Sequence, residues 1–217
     1  MLFNLSDEIP MAPENTELKR TINRRINHIK NIGLDDDLRK QIKKIPKYEL
    51  HVHLGGSIRR TTIVELAEKN GISLPADKKS FLSSLTPLEF FKGDALWELF
   101  HNTYRWYWSC IKSCDDLKRV VTEFLEDSYL QGVVHSEFTV SGSYLTQTFP
   151  FDEWTSAIES GIDDARKKYT ITASAILDIS RRFGAENAIN NVKQIIDNHY
   201  KCICGIGMGG DEVKYPH

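Results

Sequence analysis

Four short apolar runs separated by longer stretches of helical spacing set the tightest limit on what this chain can fold into. The runs read YELHVHL from Tyr48, VVHSEFTV from Val133, ITASAILDI from Ile171 and CICGIGM from Cys202. Between them, Thr62 to Lys69, most of residues 80–131, Pro150 to Tyr169 and Ala185 to Tyr200 carry apolar residues at helical intervals. Alternation of this kind predicts parallel strands joined by right-handed helical crossovers, in an open doubly wound sheet or in part of a (β/α)8 barrel. No GxGxxG follows the first strand and no GxxxxGK[ST] occurs, so the two commonest phosphate-binding turns of open sheets are missing.

The 46–217 stretch contains no repeat and no low-complexity linker, and reads as one domain. Residues 1–45 read as a helical extension in front of it, with Leu18, Ile22, Ile26 and Ile29 spaced along an otherwise polar stretch. A helical, aromatic-rich insertion fills about 80–131 and includes Trp97, Phe100 and Tyr104. The formal charge of −2 argues against a general nucleic-acid or membrane-surface binder, because it implies no basic face. MLFNLSDEIP meets acidic residues before any apolar run develops, so a cytoplasmic protein without a leader is expected. Cys110, Cys114, Cys202 and Cys204 lack both the pattern of a disulfide framework and the usual two-residue spacing of a structural zinc site, and are expected to be reduced thiols.

Chemistry concentrates in LHVHLGGS, residues 50–57. On a strand, side chains two apart share a face, so His51 and His53 point the same way and their imidazoles are placed to share an ion. The competing reading is a pair of hydrogen-bonded histidines without metal. Gly55, Gly56 and Ser57 follow at the strand exit, where a ligand needs backbone room.

KYELHVHL followed by GGSI resembles the first strand of the adenosine deaminase family, with its ELHxHLxGS-type motif. GVVHSEF, residues 132–138, resembles that family's second strand, and GIGMGGDE, residues 205–212, is similar to its fourth-strand GxDLxGDE motif. The resemblance implies a (β/α)8 barrel of which this chain holds about the first four β/α units, one Zn2+ held in part by His51 and His53, and hydrolytic removal of an exocyclic amine from a purine. It further implies that the 80–131 insertion is lid-like, that Gly210 presents its backbone N–H to the purine ring, and that Trp97 and Phe100 are candidates to cover it, against a plain core role. The family's third histidine ligand, its general-acid glutamate and its metal-binding aspartate come from later strands, so the chain corresponds to the N-terminal half and is expected to be inactive alone. A complementary C-terminal half or self-association is the implied partner, beside a small aminopurine nucleoside or nucleotide.

Two departures bear on substrate. Family members specific for adenosine carry an aspartate where this chain has Gly55, and a second where it has Gly207. With Arg59 and Arg60 just beyond Gly55, a 5′-phosphorylated substrate enters as an expectation, against the alternative that both arginines serve a helix surface. The remaining alternatives are a metal-dependent amidohydrolase with another substrate and a catalytically inactive truncated relative.

Overall fold

A strand whose side chains alternate can bury one face in a core and turn the other to different use. The computed structural model describes residues 35–84, 87–93 and 96–216, and the four apolar runs are strands in it: β1 (Lys47–His53), β2 (Val133–Val140), β3 (Thr172–Ser180) and β4 (Ile203–Gly209). They form one sheet in the order β1-β2-β3-β4, every neighbouring pair parallel. The helices are α1 (Asp36–Lys44), α2 (Arg60–Lys69), α3 (Lys78–Ser83), α4 (Leu96–Ser109), α5 (Cys114–Leu130), α6 (Gly142–Leu145), α7 (Phe151–Tyr169) and α8 (Gly184–Asn198). The expected helical residues Leu18 to Ile29 lie outside the described residues.

By contact the chain divides into two units, the described residues 35–44 with 74–103, and 45–73 with 104–216. In the first, Asp77 caps α3 by accepting the Ser80 N–H at 3.0 Å, and Phe81 meets Phe90 with ring centroids 5.8 Å apart. The second holds the whole sheet.

Register decides the character of that sheet. Phe138 pairs with Ala175 and Val140 with Leu177, so these residues share a face, and all are buried. The Phe124 ring of α5 meets Phe138 edge-on at 5.4 Å, which puts the crossover helix over that face. Helices α5 and α7 meet closely at Gly161, where a Cβ would stand 2.9 Å from the Lys118 carbonyl oxygen. The opposite face carries His135, Glu137, Thr139, Thr172, Ser174, Ile176, Asp178 and Ser180, a mainly polar row that alternates with the buried apolar one. An open doubly wound sheet covers both faces with helices and reverses its strand order at a switch point. Here the order never reverses and the buried apolar residues lie on one face. Four consecutive staves of a (β/α)8-type barrel are the result, with the polar face as its interior.

Helix α5 starts in a capping box, in which the Asp116 N–H donates to Ser113 Oγ at 3.1 Å and the Ser113 N–H donates to Asp116 Oδ2 at 3.2 Å. The same carboxylate accepts Lys69 Nζ at 2.6 Å, Asn70 Nδ2 at 2.9 Å and the Lys112 N–H at 3.0 Å, joining α2 to the start of α5. Burial works to raise the Asp116 pKa, but the donors, Lys69 foremost, outweigh it and hold the group below the ordinary aspartate value. A depressed native pKa gives stability that is present above the unfolded pKa and lost as pH falls through the native one. Replacing Asp116 with Ala should therefore lower stability by about 2–4 kcal/mol at neutral pH and flatten the acid limb of the stability–pH curve, as urea unfolding across pH would measure.

Candidate metal and substrate site

Strand β1 is not regular where its histidines sit. Tyr48 pairs with His135 and Glu49 with Ser136, yet the next pairs are Val52 with Phe138 and His53 with Thr139, so β1 spends one residue more than β2 over Leu50 and His51. This bulge re-aims the strand's last residues. Beyond it, Val52 joins the helix side with Phe138, and His53 joins the polar side with Thr139. The His51 ring lies beside that of His53, centroids 5.8 Å apart and planes at 55°, and both residues are exposed. The two imidazoles thus stand together at the carboxyl end of a barrel stave, where such folds place their chemistry.

Across the sheet, the layer of His53 continues through Thr139, Ile176 and Gly205, and the next layer towards the carboxyl ends pairs Asp178 with Gly207, then Ser180 with Gly209. Three glycines at alternate positions strip the interior side of β4. A Cβ at Gly205 would meet nothing within 4 Å, one at Gly207 only Ile176 Cγ2 at 3.5 Å, and one at Gly209 the Asp178 carboxylate oxygens at 3.1 and 3.2 Å. Asp178 is the ionisable residue that the strand pattern did not flag. Burial pushes its carboxyl up from the ordinary aspartate range, against the opposing pull of His53. His135, on the same face, is held structurally: its Nδ1 shares a 2.8 Å hydrogen bond with Thr172 Oγ1, which also lies 3.2 Å from the Val134 carbonyl oxygen.

Past the strand ends, Gly55 is buried, and a Cβ there would stand 2.7 Å from Trp108 Nε1 and 2.8 Å from Tyr104 Cε2. The place of a side chain at 55 is filled by two aromatic rings from α4. The Tyr104 hydroxyl bonds Ser141 Oγ at 2.6 Å, and burial pushes the phenol up to about 12, so it stays protonated. Gly210 follows β4 with φ of +122°, a conformation that favours glycine. Asp211 accepts the N–H groups of Val213 and Lys214, each at 3.0 Å, and so orders the turn, while Glu212 pairs with Arg181 at 3.3 Å. Trp97 and Phe100 belong to the other unit, where their rings meet at 5.8 Å and Trp97 stacks on His101.

Arg59 is committed elsewhere. Its Nε and Nη2 donate to the two Asp127 carboxylate oxygens at 2.9 and 2.7 Å, and Nη2 also reaches Glu126 at 2.7 Å. This fork on α5 is a structural clamp and, for Arg59, favours the helix-surface alternative over a role at an anionic 5′ group. Among the described residues no group of three or more His, Cys, Asp or Glu side chains is placed to hold a metal ion. The cysteines are free thiols, with Cys110 and Cys202 pushed up to about 12 by burial. No described helix is long and apolar enough to cross a membrane.

Against known proteins, the family described as Adenosine deaminase matches residues 46–217. The adenosine deaminase of Shewanella denitrificans is 28% identical over 176 residues, covering 80% of this chain and 52% of that protein. Among solved structures, an amidohydrolase from Burkhoderia ambifaria with bound Zn superposes with a TM-score of 0.68 at 24% identity, covering 86% of this chain and 50% of that one. The arabidopsis protein ADAL complexed with IMP gives 0.64 at 25% identity, covering 82% and 52%. The chain therefore spans about half the length of the curated relatives it matches.

Two substitutions test the mouth. Gly55→Ala should cost about 1–3 kcal/mol by overpacking against Trp108 and shift the tryptophan emission. Arg59→Ala should cost about 1–2 kcal/mol, discounted for partial exposure, and leave any preference between phosphorylated and unphosphorylated ligands unchanged.

Proposed function

Because the chain belongs to the adenosine deaminase family, we propose that it supplies the N-terminal half of a zinc-dependent hydrolase that deaminates adenosine or a related aminopurine nucleoside or nucleotide. The observation that carries this reading is the His51–His53 pair on the interior side of β1 at its carboxyl end. Two neutral imidazoles at i and i+2 are good ligands for one divalent zinc, and a catalytic zinc takes three protein ligands with a position left open for water. The described residues supply two such groups and no set of three. They fit as part of a site that later strands complete. Zinc, when bound, lowers the pKa of its water to about 7 and so provides hydroxide at neutral pH.

The chain's own groups do the rest. His51 and His53 hold the metal at the stave end. The glycines of β4 leave room for a flat ring, and the positive φ of Gly210 turns the backbone so that its N–H is offered to the purine. Tyr104 and Trp108 close the space beside Gly55, which favours a neutral sugar edge there and excludes water. The zinc in the Burkhoderia amidohydrolase and the IMP in ADAL support the cofactor and the ligand class. Completion by further staves is supported by the open sides of the sheet: Ile206 and Met208, on the helix side of β4, are 56% and 59% exposed.

With the remaining strands supplied in cis or in trans, the protein should release ammonia from adenosine or its 5′-phosphate in a zinc-dependent way. His51→Ala or His53→Ala should lower kcat/KM by about 10³-fold or more and reduce bound zinc. The 217-residue chain alone should show no turnover. A completed, zinc-loaded barrel that turned over no aminopurine would overturn the proposal, and zinc-dependent ammonia release from the isolated chain would overturn the division of the site.

A further inference from the structure

Asp178 is a carboxylate with no evident structural purpose. It lies on the interior side of β3, directly beside Gly207 of β4 and one layer, about 7 Å, nearer the carboxyl ends than the His53 layer. Buried carboxylates that serve the fold are held by donors, as Asp116 is by Lys69, Asn70 and two backbone N–H groups. Asp178 shows no such cage. His53, Tyr104 and Tyr144 are near enough to feel its charge, but its β4 side is open: Gly207 beside it is bare, and its oxygens come so close to the Cα of Gly209 that a methyl group there would stand 3.1 Å from Oδ1. A strand that gives up three alternate side chains loses packing and strand propensity, a sacrifice that makes sense where another group must enter.

Resting on the proposed aminopurine reading, we propose that Asp178 is a substrate-contacting specificity residue, its carboxylate accepting a hydrogen bond from an N–H or O–H donor of the bound nucleoside in the room left by Gly205, Gly207 and Gly209. It sits where the neighbouring strand has Gly207, so the carboxylate and the gap are two halves of one feature. A ligand that offers an anion or a bare acceptor at this place is rejected, because the fixed charge repels it and the desolvated carboxylate goes unpaired.

The test has two arms. In the isolated chain, Asp178→Asn should leave the unfolding midpoint unchanged or raise it, since no internal donor loses its partner. A drop comparable to that of Asp116→Ala would assign Asp178 to the fold and overturn the inference. In the completed, zinc-loaded enzyme, Asp178→Asn should lower kcat/KM for adenosine about 10- to 100-fold with zinc content unchanged. Adenine, which lacks the sugar, separates the donors: a loss on adenosine alone places the donor on the sugar, and a loss on both places it on the ring, each supporting the contact. The relocated pair Asp178→Gly with Gly207→Asp, which the 3.5 Å clearance at Gly207 accommodates, should recover part of the loss, as a merely structural residue would not. Unchanged kcat/KM in Asp178→Asn would overturn the inference while leaving the deaminase reading intact. Absence of turnover in the unsubstituted, completed enzyme would sink that reading and this inference with it.

Discussion

The parallel register of β2 with β3 is the constraint on which the remaining structure depends. It holds Phe138 beside Ala175 and Val140 beside Leu177, so that one continuous apolar face receives α5 and α7. The same register obliges Glu137, Thr139, Ser174, Ile176 and Asp178 to look the other way. A slip of a single residue would exchange the two sets, burying carboxylates under the helices and exposing Phe138. Burial of the apolar face thus fixes, at no further cost, which residues line the interior.

On that frame the outer strands are modified in opposite senses. β1 gains a residue in its bulge, which swings the end of the strand so that Val52 still packs on the helix side while His51 and His53 project together into the interior. β4 loses side chains at alternate positions and becomes a bare wall. One side of the interior thereby carries the histidine pair and the other carries room, with Asp178 at the boundary. Typical barrels fill this volume with layers of branched apolar side chains. Here the described part of it is polar and, along β4, bare of side chains.

The strands and the same-side placement of His51 and His53 were legible in the sequence because each follows from a local period of two, and the parallel sense because helical stretches separate the strands. The choice between barrel and open sheet was not, since periodicity carries no strand order; motif resemblance pointed to the barrel, and the unreversed order and one-sided burial bear it out. Arg59 was read against its neighbour Gly55, whereas its partners Glu126 and Asp127 are more than sixty residues away, a separation no local pattern spans. Asp178 escaped notice for the same reason: within ITASAILDI it is one polar residue in an apolar run, and its meaning comes from Gly207 across the sheet. The one local signal was the alternation of glycines at 205, 207 and 209, which marks a missing wall without naming what stands opposite.

The strand that carries the histidine pair is also the least supported. β1 pairs on one side with β2 and has no second partner among the described residues, and Leu50 beside the histidines is 56% exposed. Preorganising two imidazoles for one ion needs their backbone held to within a fraction of an ångström, which a strand paired on both sides achieves and an edge strand with a bulge does not. Under the proposed function, closure of the sheet and capture of a metal would be coupled. Strands pairing with β1 would steady His51 and His53, and an ion shared by those residues and ligands from later strands would in turn tie the edges together, so that part of the metal's binding energy would become stability of the closed barrel.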